Sequence, residues 1–450
     1  MISTTDKTPR HADLIVVGGG LAGLSAAALV AREGRSVVVL ERASRLGGRA
    51  ATHVRQGIHF NVGPHALYCQ GHAFLLFKKL HVPFAGRFPD ASGGLFFDGD
   101  SSYAIPSGFG SLLGSRLFTL REKWRLTRIL YSLKRMNARR LDRIPLRDWI
   151  DQTAGGGGLA AFLGTLFRVS TFAADHARLS AGAAIDQLRL ALDGNVWYLD
   201  GGWQSMVDGL RDRAVEAGAE IRTGARVESV RSEGGGVSVQ LAGGGVLRGR
   251  AAVLAIGPDE VAELLELPED EPLVLWASGR SRVRAASLDV ALDRLPNPET
   301  RLAFGLDRPL YYSVHSASAK LAPEGVAVLH VMTYLGGDST EPAEGVEGEL
   351  EALLDRLQPG WRPFVVERRF LPAMTVAHAL PRAGEGGLAA RPAVSARERP
   401  NVFLAGDWVG ARGLLADASA ASAEEAAGLV LTALERGEVR PDRSLSHVEC

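Results

Sequence analysis

Leu14-Ile15-Val16-Val17-Gly18-Gly19-Gly20-Leu21-Ala22-Gly23 is the stretch whose reading decides the fold. Four apolar residues, two of them valine, read as a strand buried on both faces. Leu24-Ser25-Ala26-Ala27-Ala28-Leu29-Val30-Ala31 follows as an Ala-rich helix, and Ser36-Val37-Val38-Val39-Leu40 is a second apolar strand that ends on Glu41. Together they make a βαβ dinucleotide-binding unit. Gly18 permits the tight turn, Gly20 lets a pyrophosphate approach the backbone, and Gly23 lets helix and strand pack closely. The helix N-terminus, with Leu21 and Ala22 at its start, offers amide donors and the positive end of a dipole to phosphates. Glu41 can accept from both ribose hydroxyls, and its charge disfavours a 2′-phosphate.

Working outward, Glu41-Arg42-Ala43-Ser44-Arg45-Leu46-Gly47-Gly48-Arg49-Ala50 adds a second glycine turn followed by an arginine. This stretch resembles the E-x-x-x-x-x-G-G-R signature of the superfamily of phytoene desaturases, protoporphyrinogen oxidases and flavin amine oxidases. In that resemblance Gly48 passes close to FAD and Arg49 meets its phosphates. Phe60-Asn61-Val62-Gly63-Pro64-His65 resembles the segment that runs near the isoalloxazine ring, with Asn61 where an acid is common. Ala225-Arg226-Val227 is read as a strand, and the resemblance sets the backbone of its valine against the adenine. Asn401-Val402-Phe403-Leu404-Ala405-Gly406-Asp407 is a strand ending in Gly-Asp, and the resemblance sets that acid by the ribityl or pyrophosphate. Gly413, Leu415 and Ala416 then open an Ala-rich helix aimed at the flavin, where a dipole stabilises the negative charge of reduction.

The resemblance implies noncovalently bound FAD and an α/β fold. It also implies a discontinuous Rossmann-like FAD-binding domain (1–105, 195–260 and 395–435) with an inserted α+β substrate domain (106–194 and 261–394). The activity it implies is that of an oxidoreductase: a dehydrogenase, desaturase or oxidase that takes a hydride from an apolar small molecule, with polyenes and isoprenoids as candidates. Amine oxidation and non-redox FAD-dependent isomerisation are the alternatives.

No other glycine cluster has the strand-then-helix flanks of the first. Gly234 to Gly236 and Gly243 to Gly245 read as hairpin turns. A separate nicotinamide domain is therefore not expected, and electrons should leave to a diffusible acceptor such as dioxygen or a quinone. Flavin amine oxidases usually carry a lysine on a substrate-domain strand, and the corresponding stretch Arg284 to Leu292 has none. No catalytic residue is assigned; His65, Asp289, Tyr311 and Tyr312 are the polar groups to test, Asp289 having a solvent-facing strand position as its plain alternative.

Composition agrees with a globular protein of more than one core: 450 residues, 46% of them hydrophobic, with 51 basic and 51 acidic residues. That balance gives no field for nucleic acid. Cys69 and Cys450 cannot build a disulfide framework, no metal-ligand spacing stands out, and MISTTDKTPRHAD lacks the apolar region of a secretory signal. A cytoplasmic setting is expected. One segment departs from neutrality: residues 115–143 hold ten basic residues among leucines and aromatics at helical spacing, with only Glu122 and Asp142 opposed. It reads as a helix with a solvated basic face, or as a peripheral contact with anionic lipid.

Overall fold

The computed structural model describes residues 11–106, 114–336, 344–396 and 399–436. Cys450 lies outside them. His11–Val17 runs in the middle of a seven-stranded sheet, between Val37–Glu41 and Val246–Leu254, parallel to both. Leu14, Ile15 and Val16 are fully buried, as a central parallel strand with both faces covered must be. Glu220–Thr223 extends the parallel set beyond Val37–Glu41, and Val402–Leu404 adds itself to Val246–Leu254. The antiparallel strands Gly236–Leu241 and Val227–Glu233 complete the sheet, joined through turns at the two glycine clusters read as hairpins.

The strand expected over Ala225 to Val227 begins only at Val227. The amides of Gly224 and Ala225 are taken instead by the carbonyls of Ala43 and Glu41, 2.9 and 2.8 Å away. This bend brings Val227 to the end of the Glu41 strand.

A second seven-stranded sheet runs in the order Val365–Ala377, Val283–Leu292, Ala327–Leu335, Leu310–Val314, Leu302–Gly305, Leu95–Asp98 and Ser101–Ala104. All its pairs are antiparallel except Leu302–Gly305 with Leu95–Asp98. One face packs on the helix Val346–Leu357 through Leu350, Leu353 and Leu354. Helices between Leu120 and Gly194 form their own apolar core, which reaches the second sheet through Phe96, Val283 and Ala377.

The basic segment is helical over Leu120–Leu133, with a separate 3-10 turn at Ala138–Leu141. Thr119 and Glu122 form a reciprocal capping box at its start. Among the described residues no helix is long and apolar enough to cross a membrane.

Candidate flavin site

One cavity of about 600 Å³ runs along the carboxyl ends of the parallel strands, where open α/β sheets place their ligands. Gly18, Gly20, Leu21 and Ala22 line it, as do Glu41, Arg42, Gly48, Arg49, Pro64, His65, Val227, Gly406, Asp407, Leu415 and Ala416. Residues from both ends and the middle of the sequence thus meet in one place.

Gly23, Gly63 and Gly413 do not line the cavity, but each sets its shape. A Cβ on Gly23 would lie 1.9 Å from the Gly18 carbonyl oxygen, so only glycine lets the first helix reach the turn. Gly63 has φ +74° and packs on Met374. Gly413, at φ +70°, packs against the first turn of the helix Leu415–Arg436.

The nucleoside end is held by backbone. Glu41 accepts from the amides of Gly19 and Ala43 at 2.7 and 2.8 Å, which fixes its carboxylate at the strand end. Around Gly20 there is open space: an added Cβ would meet nothing nearer than the Gly47 carbonyl at 3.8 Å. A glycine cradle before an 11-residue helix, a fixed acid one strand later and room between them fit the pyrophosphate and ribose of FAD. The short helix Pro258–Leu264 also contributes here through Glu260, Glu263 and Leu264, which sequence reading passed over.

Arg49 and Asp407 come together from opposite ends of the sequence. The guanidinium donates to both carboxylate oxygens, at 2.8 and 2.7 Å, and the backbone and ring nitrogens of His378 add bonds of 2.9 and 2.8 Å. Burial works against the Asp407 charge, but Arg49 and His378 outweigh it and hold the carboxyl well below its usual range. Burial likewise opposes the Arg49 charge, and Asp407 more than compensates. His378 lines the cavity too; its pairing partner lies far off in sequence, so no local motif marks it.

At the other end the wall changes character. Phe172, Met374, Val376 and Leu415 are apolar liners drawn from the helical layer, the second sheet and the C-terminal helix. Phe172 and Leu415 are non-glycine residues with left-handed backbones, φ 58° and 55°. Such conformations cost on the order of 1–3 kcal/mol each and concentrate at ligand sites. Asp417 lines the cavity nearby. It caps the helix His72–Lys79 by accepting from the Ala73 amide at 2.9 Å, and burial pushes its carboxyl up to about 7. Its other oxygen is buried without a partner.

Of the other polar candidates, Tyr312 faces away, bonded to the Thr300 carbonyl at 3.2 Å and to Gln358 at 2.8 Å. Tyr311 meets Tyr198 at 3.1 Å in a buried patch. Asp289 is fully buried, not solvent-facing. Its strand is paired along both edges, and helix and loop pack on its two faces. Cys69 does not line the cavity, and burial pushes its thiol up to about 11.

The model of the family described as flavin containing amine oxidoreductase matches residues 21–431. The chain belongs to this family. A carotenoid 3,4-desaturase of Haloarcula japonica is 29% identical over 269 residues, which is 49% of this chain and 51% of that relative. An all-trans-retinol 13,14-reductase of Danio rerio is 44% identical over 59 residues, 13% of this chain and 10% of the relative. The chain is thus matched over about half the length of the first relative and much less of the second. Among solved structures, an oxidoreductase from Methanosarcina mazei superposes with TM-score 0.73 at 16% identity, covering 92% of this chain and 99% of that one. Putrescine oxidase gives 0.72 at 15%, covering 94% and 99%. These likenesses establish the fold. Membership of the family makes the chain a flavin oxidoreductase, and the residues of the cavity fit FAD as its cofactor.

Proposed function

We propose that this flavoprotein is a dehydrogenase, desaturase or oxidase that removes a hydride from an apolar small molecule of the polyene or isoprenoid class. The observation that carries this reading is the apolar end of the cavity, where Phe172 and Leu415 are held in costly backbone conformations beside Met374 and Val376. The flavin, when bound, supplies the hydride acceptor. The chain has to hold the reacting C–H against it in a dry pocket, which is a matter of positioning. The similarity to a carotenoid desaturase supports the substrate class. The helices between Leu120 and Gly194 and the second sheet form the substrate side in this reading, and dioxygen or a quinone takes the electrons. Amine oxidation is the competing reading, and Asp417 favours it, since a cavity carboxyl with an unpartnered oxygen can ionise against a substrate ammonium.

The two separate in one anaerobic experiment. The purified yellow protein is mixed in turn with detergent-solubilised polyenes and with primary amines, and flavin bleaching is followed. Bleaching by polyenes supports the apolar reading, and bleaching by amines alone overturns it.

The helix Leu120–Leu133 further supports peripheral membrane contact. Leu120, Trp124 and Tyr131 are 80%, 63% and 60% exposed on one face, and Arg128 and Arg135 stack over the two aromatic rings. Anionic vesicles should therefore sediment the protein in low salt, and Trp124→Ala with Tyr131→Ala should reduce it several-fold. Equal sedimentation of the variant sinks this contact.

A further inference from the structure

His65 lines the flavin cavity with both ring nitrogens already committed. Nδ1 lies 3.0 Å from the Gly63 carbonyl oxygen and Nε2 lies 3.2 Å from that of Arg49. Both partners are acceptors only. A neutral imidazole has one N–H, so it satisfies one carbonyl and turns a lone pair towards the other. The imidazolium has two N–H groups and satisfies both. The Trp203 ring packs against the His65 ring in a T-shaped contact, with the centroids 4.8 Å apart.

Without added charge in the cavity the surroundings favour the neutral ring. Burial works against the cation. Behind His65, the second sheet contributes Asp289, which accepts from Ser287 at 2.6 Å, His330 at 2.7 Å and Arg369 at 2.5 Å. Arg369 also donates to the Asn61 carbonyl, on the same segment as His65, and its charge cancels that of Asp289. His330 spends its Nδ1 on Asp289, leaving Nε2 buried and unpartnered, and its ring abuts His315 at 4.5 Å. On the cavity side, Arg49 is neutralised by Asp407. The ion pairs Arg369–Asp289 and Arg49–Asp407 thus offset their own charges beside His65, and the two carbonyls favour a second N–H on the ring.

We propose that His65 is the redox-linked proton site of the flavin cavity, neutral beside oxidised cofactor and imidazolium once reduction has added negative charge there. The inference rests on FAD occupying the cavity and not on which substrate delivers the hydride. A bound flavin would accept two electrons and one proton as hydride. A second proton, drawn from solvent, binds the His65 nitrogen that lacks one and converts a lone pair facing a carbonyl into a hydrogen bond. The cavity then gains no net charge. With both nitrogens engaged by backbone, His65 acts through its charge and does not attack the substrate.

The test is a spectroelectrochemical titration of the FAD-loaded protein between pH 5.5 and 8.5, without substrate, for wild type and His65→Asn. Each extra proton bound on two-electron reduction changes the equilibrium tenfold per pH unit, about 30 mV. The wild-type potential should fall more steeply than the variant's by that amount over part of the range, and the curves should meet at high pH. Parallel curves across the whole range overturn the proposal. If His65→Asn does not retain FAD, proton uptake is counted in wild type during photochemical reduction, with the flavin's own ionisation read from its absorbance. One proton beyond those on the flavin supports the proposal, and none overturns it. A protein that binds no FAD at all would instead overturn the cofactor assignment, so the two failures are distinct.

Discussion

At the level of single residues, Gly20 and Gly23 stand one helical turn apart and are glycines for different reasons. Gly23 has no room: a methyl there would meet the Gly18 carbonyl at 1.9 Å and the Ala255 side chain at 3.2 Å, and both belong to strand ends that cannot retreat. Gly23→Ala should cost about 1–3 kcal/mol of stability through overpacking. Gly20 has room and an ordinary φ of −85°, so the folded chain accepts alanine. The space it opens is the one a pyrophosphate needs. Gly20→Ala should leave flavin-free stability within about 0.5 kcal/mol and weaken FAD binding at least tenfold, about 1.4 kcal/mol. Urea unfolding and fluorescence titration with FAD separate the two effects. A Gly20→Ala protein that binds FAD normally would place the phosphates elsewhere.

At the level of elements, the helix Leu120–Leu133 carries two apolar stripes that sequence alone does not rank. Leu126, Ile129 and Leu133 are buried against neighbouring helices, while Leu120, Trp124 and Tyr131 face outward. Leu126→Ala should cost about 2–5 kcal/mol, and Leu120→Ala should stay within about 0.5 kcal/mol; thermal or urea unfolding of the two variants checks this. The same helix shows where sequence reading stops. The first strand, turn, helix and Glu41 were legible because their chemistry is local, each residue acting on neighbours at fixed spacing. Asp289 was not, since its burial depends on Val365–Ala377 and Ala327–Leu335 pairing on either side. The second sheet's order was equally hidden: Leu95–Asp98 joins Leu302–Gly305 across a long loop closure that no periodicity announces. Arg49 and Asp407 each stood out in the sequence as candidates, but their mutual pairing in the cavity wall is a product of the fold.

At the scale of the whole molecule, buried titratable groups pull the pH dependence of stability in opposite directions. Burial lowers the pKa of His176 to about 4, with Arg168 adding to the effect. Between about 4 and the ordinary histidine value near 6.5, the unfolded chain binds the proton and the folded chain does not, so stability rises with pH there. His65 and His315, also lowered chiefly by burial, act in the same sense. Asp417 acts in the reverse sense. Its carboxyl is raised to about 7, so between about 4 and 7 the folded chain keeps a proton that the unfolded chain has lost, and stability falls as pH rises. Each group alone contributes at most about 1.4 kcal/mol per pH unit, and the two slopes overlap across nearly the same window. The flavin-free protein should therefore show a shallower pH profile than its histidines alone would give. Asp417→Asn keeps a neutral polar group at the cap and removes the falling component, so its stability should climb more steeply from pH 4.5 to 6.5, ending above wild type at pH 7.5. His176→Asn should do the opposite, flattening or inverting the slope. Urea midpoints measured at half-unit steps of pH decide it. If Asp417→Asn merely lowers stability by a constant amount at every pH, the carboxyl is ionised in the folded state and the cap to Ala73, with the pull of the helix N-terminus, prevails over burial.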